Sequence, residues 1–181
     1  SNPGDRKIIG NSTSRYQYGI TGGVNWKGFD LSFLLQGTGK RDVWIDDALR
    51  WSFKTGQFGT IFDNQLDYWK PKDPANGDWT AMNPDAEWHR IYGEKANATS
   101  NQRIQTKYLM NGAYLRLKNI TLSYNVPRSF LQKITLSSAK IFCSVENLHT
   151  WSHLPKGYDP ERLSWQYPFY RTISFGVNLT L

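Results

Sequence analysis

Polar and apolar positions alternate with period two over several separate stretches of the chain, the pattern of β-strands with one apolar face. From Arg15 to Trp26 the even positions are Tyr16, Tyr18, Ile20, Gly22, Val24 and Trp26, and the odd positions are polar or small. Lys27-Gly28 then reads as a two-residue turn. Alternation resumes with Phe29, Leu31, Phe33 and Leu35 against Asp30, Ser32 and Gln36, with Leu34 the exception. A two-residue hairpin sets Trp26 opposite Phe29 on one face, consistent with both being aromatic. Strands are therefore expected near 15–26 and 29–38.

A third strand is expected near 112–126. Ala113, Leu115 and Leu117 occupy one phase, and Ile120, Leu122, Tyr124 and Val126 the other. A slip of one residue flips every side chain, so a β-bulge near Lys118-Asn119 is needed to keep both sets on one face. A fourth strand is expected near 138–148, where Ala139, Ile141, Cys143 and Val145 alternate with Lys140, Ser144 and Glu146. A fifth is expected near 169–181. There Phe169, Ile173, Phe175, Val177, Leu179 and Leu181 share a phase in which Arg171 is the one charged residue.

The connections alternate in length. Lys27-Gly28 and 127–137 are short; 40–107 and 149–168 are long. Long structureless loops are unusual in compact soluble domains. Outer-membrane barrels, by contrast, have short periplasmic turns and long extracellular loops, and their strands of ~9–11 residues cross the bilayer tilted. With the short turns in the periplasm, the last strand descends and the C-terminus is periplasmic. The alternative is a soluble antiparallel β-sandwich that binds carbohydrate through the long segment, since one solvated face produces the same alternation. The polar faces weigh against it: they carry Gly, Thr, Ser and Asn instead of the usual Lys and Glu. Five strands cannot close a membrane barrel, and an open edge in lipid leaves backbone groups unsatisfied. The membrane reading therefore expects an incomplete chain.

Composition adjusts this picture. Among 181 residues aromatics reach 15%, including eight Trp, while hydrophobic residues total only 39% and mean hydropathy is −0.60. That is too aromatic for disorder, and no run approaches the ~18 apolar residues of a spanning helix. The single Cys143 rules out an internal disulfide framework. The start, Ser1-Asn2-Pro3-Gly4-Asp5, shows no signal peptide, so either one has been removed or the chain is a piece of something longer. The formal charge of +7 on its own permits nucleic acid, an anionic membrane surface or acidic ligands. However, Lys and Arg are scattered and the strand aromatics share the apolar face, so no nucleic-acid partner is expected.

No catalytic constellation emerges, and neither an enzyme activity nor a cofactor is expected. His149 and His153 are four apart, but Trp151 and Pro155 suggest a loop instead of the helix such a metal pair needs. Asp73-Pro74-Ala75-Asn76-Gly77-Asp78 lacks calcium-loop spacing and reads as a polar turn. No metal site is expected. The long segment 40–107 is the functional candidate. It holds Trp44, Trp51, Trp69, Trp79 and Trp88, with Asp67 and Arg90 among them. Aromatic faces with nearby carboxylates and amides suit sugar rings or peptides. The competing role, favoured for most of these rings, is a private core or a partner contact, with about two of them touching ligand, since only a few groups line a typical site.

Several blocks, taken in order, carry a resemblance. They are Gly4-Asp5-Arg6-Lys7-Ile8-Ile9-Gly10-Asn11, Arg15-Tyr16-Gln17-Tyr18-Gly19 and Trp26-Lys27-Gly28-Phe29-Asp30-Leu31. Further along come Tyr114-Leu115-Arg116-Leu117-Lys118-Asn119, continuing to Tyr124, then Glu146-Asn147-Leu148 up to Trp151, and Gly157-Tyr158-Asp159-Pro160-Glu161. Together they resemble the C-terminal region of SusC/RagA-type TonB-linked outer-membrane proteins of Bacteroidetes. The resemblance implies an all-β chain, the C-terminal antiparallel strands of a 22-stranded plugged transmembrane β-barrel. It also implies import of oligosaccharides or peptides across the outer membrane. A SusD-like surface lipoprotein would be the partner, and TonB would act through a missing N-terminal part that includes the plug. The last strand resembles an outer-membrane assembly signal at Ser174, Gly176, Leu179 and Leu181, with Leu181 where an aromatic is usual.

Overall fold

The computed structural model describes residues 7–54, 59–91, 101–132, 135–163 and 167–181. Gly4, Asp5 and Arg6 of the first resembling block lie outside these residues. In chain order the strands are β1 (Tyr16–Trp26), β2 (Phe29–Gly39), β3 (Asp42–Val43), β4 (Pro71–Asp73), β5 (Asp78–Ala81), β6 (Met110–Asn111), β7 (Tyr114–Asn125), β8 (Ser138–Ser152) and β9 (Thr172–Thr180). A single helical turn, α1 (Arg128–Leu131), sits in the short β7–β8 connection. The chain forms two units, one up to Val43 and from Met110 onward, the other Trp44–Leu109.

The first unit is built on a five-stranded sheet of order β1-β2-β7-β8-β9, with every neighbouring pair antiparallel. The β1–β2 hairpin pairs Trp26 with Phe29 across Lys27-Gly28. Both turn residues have positive φ, 48° and 88°, as the tight mirror-image turn of a hairpin requires.

Cross-strand rows can be followed over all five strands. Val24, Leu31, Leu122, Cys143 and Phe175 form one cross-strand row, and Trp26, Phe29, Tyr124, Ile141 and Val177 form the next. Both rows lie on the apolar face. Gly23, Ser32, Thr121, Ser144 and Ser174 form a row on the opposite, polar face. Two phases of β7 meet at a bulge: Leu117 pairs with Leu35 and Asn119 with Leu34, leaving Lys118 as the extra residue. Because of that insertion Leu115, Leu117, Ile120, Leu122 and Tyr124 share one face.

The apolar face is uncovered. Val24 is 64% exposed, Ile20 53% and Phe175 80%. A sandwich would bury these residues against a second sheet. They are instead laid out as a membrane-facing surface would be.

Two expectations are corrected. The fifth strand begins at Thr172 and not near 169, which leaves Phe169 in the connection before it. The fourth strand does not stop near residue 148 but continues to Ser152, so His149 and Trp151 are strand residues and not loop residues. The cause is a second irregularity facing Lys118. On β8, Asn147 and Leu148 stand against the one extra residue of β7, and Asn147 takes a positive φ of 51°. Past it the ladder resumes, pairing His149 with Leu117 and Trp151 with Leu115.

The second unit is far from a structureless loop. Its core is Trp51, Trp88 and Tyr108, with Trp44 and Tyr68 packed against it. Trp51 meets Trp88 edge-on at 5.7 Å and Tyr108 edge-on at 5.0 Å, while Trp88 and Tyr108 stack at 5.5 Å. Both buried indoles donate to backbone carbonyls, Trp51 Nε1 to Ile45 O (2.9 Å) and Trp88 Nε1 to Asn64 O (2.8 Å). Buried Trp therefore leaves no polar group unsatisfied here. Gln65 is equally buried, its amide nitrogen donating to the Ala48 and Leu49 carbonyls and its oxygen accepting from Phe62 N.

Candidate functional site

Two places gather side chains with chemistry to offer, one in each unit.

In the first unit the described part of the connection after β8, carrying Asp159, Glu161 and Phe169, folds back over the polar face of β7 and β8. Arg116, on β7, is 2% exposed and donates through Nη2 to Asp159 Oδ1 at 2.6 Å and through Nε to Thr150 Oγ1 at 2.9 Å. Its Nη1 lies 3.6 Å from Glu161 Oε1. Lys118, pushed out by the bulge, reaches Glu161 Oε2 at 2.8 Å. Asp159 also accepts from the backbone N–H groups of Glu161 (2.9 Å) and Phe169 (3.1 Å). The Phe169 ring is ringed by cations, with Arg162 at 4.0 Å, Lys118 at 4.7 Å and Arg116 at 5.2 Å. Arg41 Nη1 adds a bond to Pro160 O at 3.2 Å. Burial alone pushes the Asp159 carboxyl up. The Glu161 N–H, the Arg116 guanidinium and the Phe169 N–H outweigh it and hold the group below its ordinary value.

Three sequence blocks meet at this junction: the one containing Arg116 and Lys118, the one ending in Thr150 and Trp151, and the Gly157–Glu161 block. Most of its polar groups are engaged with one another, while Arg116 Nη1 and Glu161 Oε1 face each other at 3.6 Å without a hydrogen bond, and the cluster ties the connection to the sheet. Sequence reasoning singled out these blocks without seeing that they are partners.

In the second unit an open cavity of about 490 Å³ is lined by Trp69, Trp79, His89, Arg90, Gln105 and Lys107, among others. The β4–β5 hairpin carries Trp79. Its turn closes through Gly77 in the left-handed region (φ 81°), where Gly is at ease. The Arg90 guanidinium lies over the Trp79 ring at 4.7 Å. Trp69 is held by its N–H to Trp88 O (2.9 Å), with Trp88 N returning to Asp67 O (3.0 Å). Lys107 is exposed and donates to Ala86 O at 2.9 Å. His89 stacks on Trp51, and burial together with the Lys107 charge lowers its pKa, against a raising bond to Arg90 O.

The structure thus separates the residues singled out from sequence. Trp69, Trp79 and Arg90 line the cavity, and Trp88 reaches it with one edge from the core. Trp51 is buried at 1% exposure, and Trp44 packs on it at 5.3 Å. Asp67 points away, its carboxylate accepting from Glu87 N at 3.0 Å. His89, Gln105 and Lys107 were missed, because no local pattern marks a residue that reaches a site only through packing. On β9, Ser174 and Gly176 fall on the polar face, and Leu179 is exposed on the apolar one. Among the described residues no three His, Cys, Asp or Glu side chains converge as metal ligands.

Known proteins share this architecture. TonB-dependent receptor P3 of Formosa agariphila is 28% identical over 191 residues, spanning 97% of this chain and 17% of the receptor. TonB-dependent receptor P26 of the same organism is 26% identical over 97% of the chain. The chain is similar along almost its whole length to the C-terminal part of TonB-dependent receptors, as its sequence blocks led one to expect. Its fold matches that of the solved RagAB peptide transporter, with TM-score 0.68 and 22% identity over 95% of the chain, and that of the RagAB peptide importer in its open-open state, with TM-score 0.63 and 21% identity over 97%. In each solved structure the chain covers 18% of the matched protein, and it spans less than a fifth of the curated receptors. No family model matches it. TonB-dependent receptors are outer-membrane proteins, and the uncovered apolar face of this chain is laid out as a lipid-facing surface would be.

Proposed function

We propose that these five strands are a section of the barrel wall of a TonB-dependent importer of oligosaccharides or peptides. In this reading the polar face of β1, β2, β7, β8 and β9 lines the lumen. Residues 44–109 stand on the cell exterior, where they meet substrate or a SusD-like lipoprotein, and TonB supplies energy through a part of the receptor outside this chain. The observation that carries the proposal is the sheet itself. Five strands of 9 to 15 residues present one uncovered apolar face and one polar face, with β1 and β9 at open edges. Backbone groups at an edge in lipid cost several kcal/mol each, so the sheet continues on both sides in the assembled barrel. The alternation of β9, with Ser174 and Gly176 on one face and Leu179 on the other, followed directly by Leu181, supports its use as an assembly signal.

The peptide cargo of RagAB belongs to that protein and supports peptides only as one of two cargo classes here. The test is topological and functional. In the full-length receptor, a membrane-impermeant maleimide applied to intact cells labels Trp79→Cys, and deletion of 44–109 abolishes uptake. Labelling of Trp79→Cys only after lysis overturns the assignment of this segment to the exterior.

A further inference from the structure

We infer that the cavity of the second unit takes an anionic ligand, one carrying carboxylates on a flat or extended backbone, and so selects acidic cargo. This rests on the proposed function, in which residues 44–109 meet substrate. The sequence pattern led one to expect carboxylates beside the tryptophans, as suits sugar rings or peptides. The structure uses several of them elsewhere. Asp47 Oδ1 accepts from Arg50 N (3.1 Å), Asp67 Oδ2 from Glu87 N (3.0 Å), Asp73 from Asn76 N (3.3 Å) and Nδ2 (2.7 Å), and Asp78 Oδ1 from Thr80 N (2.9 Å) and Oγ1 (2.6 Å). Glu87 lies 3.9 Å from Arg50. Each of these acids is tied to a backbone N–H or a cation, and none lines the cavity among its described residues.

What does line it is cationic, amide and aromatic. Arg90 and Lys107 bring positive charge, Asn101 and Gln105 bring amides, and Trp69 and Trp79 bring ring faces. At about 490 Å³ the volume lies within the range of small-ligand sites. Trp79 is 52% exposed, a large apolar ring open to a partner. Among the described residues the Lys107 ammonium makes one hydrogen bond, to Ala86 O, and an ammonium has three protons to donate. A carboxylate beside Lys107 and Arg90 gains charge-assisted hydrogen bonds, roughly twice as strong as neutral ones. A neutral ligand gains only the stacking.

The experiment measures binding to the detergent-solubilised full-length receptor by calorimetry. The probes are a tetragalacturonate, its methyl ester, a tetraglutamate peptide and a tetraglutamine peptide. At least one acidic probe is expected to bind about tenfold or more tighter than its neutral counterpart, and the better of the two identifies the cargo as glycan or peptide. Lys107→Gln and Arg90→Gln each reduce that preference several-fold, Lys107→Arg retains it, and Trp79→Ala weakens acidic and neutral probes alike. Equal binding of acidic and neutral probes, with loss on Trp79→Ala, overturns the charge selectivity but leaves the site standing. Acidic binding indifferent to Trp79→Ala, Lys107→Gln and Arg90→Gln overturns the site itself.

Discussion

Arg116 Nη2 and Asp159 Oδ1 lie 2.6 Å apart across 43 residues of sequence, with both side chains at most 6% exposed. The pair ties a long connection to the polar face of the sheet, and it does so between two of the blocks that carry the family resemblance. A buried charge is tolerable only when its partner is present, because desolvation is otherwise uncompensated.

Removing one partner is therefore more damaging than removing both. Asp159→Ala strands a buried guanidinium and is expected to cost about 3 kcal/mol. The double variant Arg116→Met with Asp159→Leu is expected to recover much of that loss. Limited proteolysis of 153–171 in the purified receptor checks this. Cleavage should rise sharply in Asp159→Ala and much less in the double variant.

The same pair makes the connection acid-labile. The folded pKa of Asp159 is held below its ordinary value of 3.8, so its contribution is fully present above that value and lost as pH falls through the lower folded pKa. Hydrogen exchange of the Glu161 and Phe169 amides should be slow at neutral pH and accelerate only in strong acid. Asp159→Asn should abolish that acid step.

His89 gives the second unit a different window. Its pKa is depressed below 6.5, first by burial. The neutral form is the stable one, so the contribution is complete above pH 6.5 and is lost as pH falls through the depressed value. Tryptophan fluorescence of the Trp51–Trp88 core, followed from pH 7.5 downward, should report loosening that His89→Gln removes.

On β9, Gly176 is required by a neighbour. A Cβ there would stand 2.3 Å from Phe142 Cζ, since the Phe142 ring lies over the glycine of the paired strand. Gly176→Ala forces that ring aside and is expected to cost about 1–2 kcal/mol. In a double-mutant cycle with Phe142→Ala the cost should shrink, because the clash is then gone. Heat-modifiability of the folded barrel on gels provides the readout. Purely additive effects would show that Gly176 acts for another reason, such as recognition during assembly.

The two faces of β1 are predicted to differ sharply. Ile20→Arg places charge on the uncovered apolar face and is expected to cost about 2–4 kcal/mol near the bilayer midplane. Thr21→Arg, one residue along on the polar face, should be near neutral. Equal levels of the two variants in the outer-membrane fraction would contradict a lipid-facing sheet.

Much of the first unit was legible from the chain because its information is local. Alternation assigns each side chain of β1, β2, β7, β8 and β9 to a face, Lys27-Gly28 sets the hairpin register, and the phase slip at Lys118 announces its bulge. What local pattern could not show was how far the fourth strand runs. The irregularity at Asn147 breaks the alternation, and only pairing with β7 carries the ladder on through His149 and Trp151.

The second unit lay beyond such reading. Tryptophan has the same local signature whether it is buried or open, so five identical residues gave no basis for separating Trp51 and Trp88 in the core from Trp69 and Trp79 at the cavity. The carboxylates were equally ambiguous, because an acid that caps a backbone N–H looks like one that waits for a ligand. Strands and their faces are encoded by a period of two, and the family resemblance by a few contiguous blocks, so both could be read from the chain alone. Tertiary structure alone decided that Arg116 meets Asp159, and that Lys107 and Arg90 rather than the aspartates line the cavity. Those outcomes depend on contacts between residues far apart in the chain, set by burial and charge pairing and left unmarked by any neighbouring residue.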